Sequence, residues 1–161
     1  MTANNYMAFN RILVPFDNSK LSYKAVDQAI ELATEELTQI FILYVINEIP
    51  LPIQYSKIEQ KNENVVISLL VNQVYNEVKT DMLPILENLK RSYNKYNSSI
   101  TTEIRIGDPA EVIVDFAKQD KIDLIVMGRI GHKGFAGILR KLGSVARKVA
   151  EEVTSPVFIV R

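Results

Sequence analysis

The sequence predicts one α/β domain: a single doubly wound, five-stranded parallel sheet of order 3-2-1-4-5, with helices on both faces. Three observations lead there. Short apolar runs rich in β-branched residues alternate along the chain with helical patterns. Those runs are mostly continuous rather than alternating, which marks strands covered on both faces. The length, 161 residues, suits one domain, since a chain of this size buries roughly 68–70% of its unfolded surface.

Residues 9–16 read as a first buried strand, stopped by Pro15 and the polar Asp17-Asn18-Ser19. A helix follows, with Ser19 as N-cap and Ala25, Ala29, Leu32, Ala33 and Leu37 near helical spacing. Residues 40–46 form a second apolar run. Residues 47–61, with Pro50 and Pro52, read as a loop. From about 62 to 96 a helical pattern runs through Val66, Leu70, Val74, Val78, Leu86, Leu89 and Tyr93. Pro84 inside it predicts a kink or a split, and residues 65–71 also satisfy a strand pattern.

Residues 100–106 give the third strand. Gly107-Asp108-Pro109-Ala110-Glu111 then marks a helix start, with Asp108 as N-cap, Pro109 at the first helical position and Glu111 completing a capping box. That helix extends to about Gln119. Residues 122–127 are the fourth strand, 144–152 a helix and 156–160 the fifth strand. Right-handed crossovers between parallel strands then allow the order 3-2-1-4-5. Residues 1–8 are expected to be a flexible N-terminus ahead of one domain over 9–161, with no repeat or linker within it.

Composition removes several classes of function. The chain has no cysteine, which excludes disulfides and thiolate chemistry. Its single histidine, His132, excludes His-pair metal sites and reads as a solvated loop residue. Lys and Arg total 19 against 19 Asp and Glu, a balance that argues against a nucleic-acid partner. Lys90, Arg91 and Lys95 with Tyr93 and Tyr96 read as the end of an amphipathic helix. The start lacks a basic region followed by an apolar stretch, and no apolar run approaches the ~20 residues that span a bilayer. The expectation is a cytoplasmic protein without a membrane partner.

Chemistry concentrates near the C-terminus. Five of the 6 glycines are Gly128, Gly131, Gly134, Gly137 and Gly143. No acidic residue occurs from Gly128 to Ala150, whereas Arg129, Lys133, Arg140, Lys141, Arg147 and Lys148 are cationic. A strand, a glycine loop and a helix start with only positive charge nearby make a phosphate cradle. The predicted winding sets Pro15-Phe16-Asp17 opposite Gly128-Arg129-Ile130-Gly131, at the switch point where such sheets bind ligands. No G-x-x-x-x-G-K-[ST] is present, and no G-x-G-x-x-G follows strand one. Asp17 is equally a ligand contact or an Asx turn with Ser19. Ser144 suits both phosphate binding and N-capping.

These residues carry a resemblance. Leu13-Val14-Pro15-Phe16-Asp17 with Ser19, Ser22 and Ala25, Gly107 to Glu111, Asp123 to Gly128, Gly143-Ser144-Val145-Ala146 and Ser155 to Val160 are similar to the universal stress protein family, over residues 10–161. The resemblance implies the Rossmann-like, adenine nucleotide alpha hydrolase-like fold, a homodimer, and a stress-response role in which some members bind ATP. It assigns Asp17 and Val45 to the adenosine end, Gly128 and Gly131 to the phosphates, and Gly143, Ser144 and Val145 to the phosphates from the helix start. Pro15, Phe16, Met127 and Arg129 complete the implied ATP site, with Mg²⁺ accompanying the nucleotide. A carboxylate beside phosphates repels them without a cation, so Asp17 is expected at the adenine or ribose end, or holding Mg²⁺ through water.

The chain departs from the binders' pattern G-x2-G-x9-G-[ST]: eleven residues separate Gly131 from Gly143, and eight separate Gly134 from Gly143. Exposed ion pairs contribute only ~0–1 kcal/mol, while hydrogen bonds to a charged group contribute roughly 1.5–3. Loop geometry therefore decides binding: two extra residues are tolerated where both loop ends keep their places. No catalytic residue is expected, and any hydrolysis should be slow. The alternative is a nucleotide-free dimeric interaction module whose protein partner meets helix 62–96 and the Pro50-Pro52 loop. The last strand, with Val157, Phe158, Ile159 and Val160, is an edge expected to pair antiparallel with its copy in a second chain.

Overall fold

The computed structural model describes residues 9–33, 38–50, 61–93, 99–130 and 142–161, and side chains are described in all of these except 61–65. Five parallel strands, β1 (Arg11–Phe16), β2 (Gln39–Asn47), β3 (Ser99–Gly107), β4 (Leu124–Gly128) and β5 (Val157–Val160), form one sheet of order β3-β2-β1-β4-β5. Four helices connect them: α1 (Lys20–Leu32), α2 (Lys61–Tyr93), α3 (Pro109–Gln119) and α4 (Ser144–Glu152). The predicted winding is the observed one.

The pleat explains why the strands read as continuous apolar runs. Ile12, Val14 and Phe16 of β1, Ile40 and Ile42 of β2, and Leu124 and Val126 of β4 pack with α1 and α2. Their neighbours Leu13, Phe41, Leu43, Ile125 and Met127 pack on the other face with α3 and α4. Alternate residues serve alternate cores, so no polar position interrupts the run. Both faces are shielded from water, each fully buried side chain contributing roughly 1.5–3 kcal/mol.

Helix ends follow the local chemistry. Ser19 caps α1 through its Oγ, which accepts from Ser22 N–H at 3.2 Å. Asp108 caps α3, its Oδ1 accepting from Glu111 N–H at 3.0 Å. The second half of the expected capping box is replaced: the Glu111 carboxylate accepts from Lys148 Nζ at 3.0 Å. A cation on α4 outcompetes the neutral backbone donor.

α2 differs most from expectation. It is not split at Pro84 but runs as one helix of 33 residues. Met82, Leu86 and Leu89 are buried on either side of the proline and pack the turns flanking it into the core. Pro84 and Thr80 are both exposed, so the carbonyl left without an amide partner meets water rather than a core. Residues 65–71 belong to this helix rather than to a strand. Leu37, Pro52, Lys95 and Tyr96 lie outside the described residues, as do residues 1–8.

Candidate functional site

The sheet order reverses beside β1, which pairs with β2 on one side and β4 on the other. At the carboxyl ends of these strands a cavity of about 580 Å³ opens, within the ~300–1,000 Å³ typical of small-molecule sites. β1 and the turn after it supply Pro15, Phe16 and Asp17; β2 supplies Val45; β4 and its exit supply Met127, Gly128 and Arg129; the start of α4 supplies Gly143, Ser144 and Val145. Gly131 lies outside the described residues, with His132, Lys133, Gly134, Gly137, Arg140 and Lys141. Every other site residue expected from the sequence meets in one place.

The wall also contains Ile130, which the predicted winding set there, and residues that sequence reasoning did not assign to the site: Leu43, Tyr44 and Asn47 from β2, Asp108 at the cap of α3, and Pro109 and Ile113 within it. Tyr44 and Asn47 carried no signal beyond their place at the end of an apolar run. Asp108 was legible only as a helix cap.

Each end of the glycine-rich loop is anchored. Arg129 N–H donates to Val160 O at 2.9 Å, and Gly143 N–H donates to Arg129 O at 2.9 Å. The residues where the extra length falls are thus spanned by a direct hydrogen bond at their base. A side chain at 143 would press on that closure, its Cβ lying 3.3 Å from Arg129 O. Consequently the Gly143 amide is engaged in closing the loop rather than facing the cavity.

Three helix N-termini border the cavity, and their caps distinguish them. α1 and α3 are capped by Ser19 and Asp108. α4 begins at Gly143 with no side-chain cap. Among the described residues, nothing accepts from the N–H groups of Ser144, Val145 or Ala146. A helix start whose amides lack protein acceptors favours an anion. Arg129 agrees with this placement. Among the described residues its Nε is buried without a hydrogen-bond partner, and it is the sole cationic side chain lining the cavity.

The opposite wall has the other polarity. Asp17 Oδ1 accepts from Ser19 N–H at 3.1 Å, the expected Asx turn, while Asp17 also borders the cavity. Burial raises the Tyr44 hydroxyl above an ordinary tyrosine value, and the Asp17 charge adds to the rise. Asp108 is held below the usual aspartate value by the Glu111 amide and by Lys148. Lys148 sits 3.5 Å from Asp108 and 3.0 Å from Glu111, joining the start of α3 to the middle of α4. Among the described residues, no group of three or more His, Cys, Asp or Glu is placed to hold a metal.

Residues 8–161 match the sequence profile of the universal stress protein family. The chain belongs to that family. It is 36% identical to universal stress protein YxiE of Bacillus subtilis over 154 residues, covering 95% of this chain and 99% of that protein. Among solved structures, MJ0577 of Methanocaldococcus jannaschii superposes with a TM-score of 0.78 at 25% identity, covering 94% of this chain and 95% of the other. A universal stress protein solved in complex with cAMP shares the fold at a TM-score of 0.65 and 23% identity, covering 96% and 98%. Among the described residues of this family member, no helix is long and apolar enough to cross a membrane.

Proposed function

We propose that this universal stress protein is a cytoplasmic, stress-responsive regulator that binds an adenine nucleotide, ATP in the first instance, with slow or no hydrolysis. One observation carries the reading: the switch-point cavity joins an uncapped helix start and a cation to a wall bearing Asp17, Tyr44 and Val45. The phosphates belong beside Ser144, Val145, Ala146 and Arg129. Asp17 would repel them, so the ribose and base face Asp17 and Val45. Mg²⁺ enters only with the phosphates. The cAMP of the fold neighbour belongs to the same chemical class. Gly131, outside the described residues, keeps the phosphate role that the family pattern implies.

Denaturing protein purified from cells should release adenine nucleotide, and calorimetry with Mg-ATP should give a saturable heat. Absence of both overturns the reading. Phosphate release should stay below one turnover per minute, since the chain lacks a P-loop lysine motif.

A second reading, a nucleotide-free interaction module, is favoured by α2. Val66, Leu69, Leu70 and Val74 are exposed by 43–62% along one side of this helix, and exposed apolar patches mark interaction surfaces. For assembly, β5 is the sheet's outer strand beyond β4, and Phe158 is 42% exposed on it. Antiparallel pairing of two β5 strands covers that edge and forms a homodimer. Light scattering at micromolar concentration should give twice the monomer mass, and a stable monomer overturns the pairing.

A further inference from the structure

We propose that Arg129 makes the crevice selective for phosphate-bearing ligands over their uncharged nucleosides; this deepens the nucleotide reading and rests on it. The guanidinium carries a donor that has no acceptor among the described residues. Its Nε is buried and has no acceptor, although Asp17 and Asp108 line the same cavity. Asp108 is engaged by Lys148. The other described cation near the start of α4, Arg147, is exposed and does not border the cavity.

The backbone of Arg129 is fully committed, its N–H to Val160 O and its carbonyl to Gly143 N–H, both at 2.9 Å. The side chain therefore leaves from a fixed point at the end of β4, which is how a recognition group is preorganised. A buried donor left unmade is costly, and more so in a charged group. An arginine kept here at that cost is a residue whose acceptor arrives from outside. A planar fork of donors fits the oxygens of a phosphate, and a neutral ribose hydroxyl offers no charge to match it.

A structural arginine behaves differently from a ligand-reading one. Were its role to hold the fold, truncating it would lower stability without ligand. Under this proposal the ligand-free protein loses nothing with the guanidinium, because a methionine keeps the apolar stem and removes the unmet donor.

The test compares wild type, Arg129→Met and Arg129→Gln by calorimetry with adenosine, AMP and ATP, and by thermal unfolding without ligand. Both variants should bind AMP and ATP roughly 10- to 100-fold more weakly. They should bind adenosine as wild type does, with an unfolding midpoint unchanged or raised. Equal loss for adenosine and AMP, no loss for either, or a midpoint lowered in both variants would overturn the role of Arg129. Wild-type protein that binds none of the three overturns the nucleotide reading itself, and the inference with it. Wild-type binding of AMP or ATP with unchanged variants overturns the inference alone.

Discussion

Replacing Gly128 by valine should weaken adenine-nucleotide binding by on the order of 100-fold, equivalent to about 2.8 kcal/mol, while leaving a folded protein. An added Cβ would lie 2.9 Å from Leu21 Cβ and 3.4 Å from the Leu21 carbonyl carbon. These atoms belong to the first turn of α1, not to the tip of a flexible side chain, so relief requires the helix to move. Overpacking of this kind costs about 1–3 kcal/mol, lowering the melting temperature by roughly 2–12 °C. The larger consequence is local. The turn that carries Asp17 and Ser19 leads directly into α1, and both residues border the cavity with Gly128 itself. Valine's branches narrow the space while the displaced helix shifts the opposing wall. Alanine at 128 shares the close contact but lacks the branches, so its loss should be intermediate. Calorimetry and thermal melts on both variants check the ordering. Wild-type affinity in the valine variant would remove Gly128 from the site.

Truncating Phe116 to alanine should have the largest effect on stability, about 3–5 kcal/mol, with a melting temperature lower by roughly 6–20 °C. Phe116 is fully buried in the core between α3 and the sheet. Its ring meets Phe41 edge-on at 5.7 Å, and the Arg105 guanidinium lies 4.6 Å above it. The loss combines transfer of the ring, the cavity left behind and both ring contacts. Phe116 does not border the ligand cavity, so nucleotide affinity measured well below the new melting temperature should match wild type. Gly128 and Phe116 thereby separate the site from the scaffold. A Phe116→Ala protein that keeps its melting temperature would show that the core around α3 repacks.

Much of this architecture was legible because several levels of the sequence agree. The runs at 40–46 and 122–127 lack the alternation of a half-exposed strand, and the structure covers both faces of each. Asp108-Pro109 and Gly143-Ser144 marked helix starts at the observed residues. α2 was harder to read. Pro84 is a local argument for a break, and the buried Met82, Leu86 and Leu89 around it are a tertiary argument against one. Packing prevails because most helical stability in proteins comes from the buried face.

At the site, legibility ended where contacts run across the chain. Tyr44 and Asn47 join the cavity because β2 lies beside β1, with Tyr44 level with its last residue Phe16 and Asn47 three residues beyond, which no local motif reports. Gly128 looked like a ligand glycine, yet the close approach of Leu21 gives it a packing reason as well. Lys148 counted as one more local cation, whereas the fold commits it to Asp108 and Glu111.

Apolar spacing, cap residues and crossover handedness, all written locally, determined the order of strands, the helix starts and the switch point where a ligand belongs. Which donors remain open there was decided only by the folded chain. An amide or guanidinium is available to a ligand when nothing else in the protein satisfies it. That depends on partners such as Arg129 O for Gly143 and Asp108 for Lys148, brought within hydrogen-bond or ion-pair reach by long-range packing.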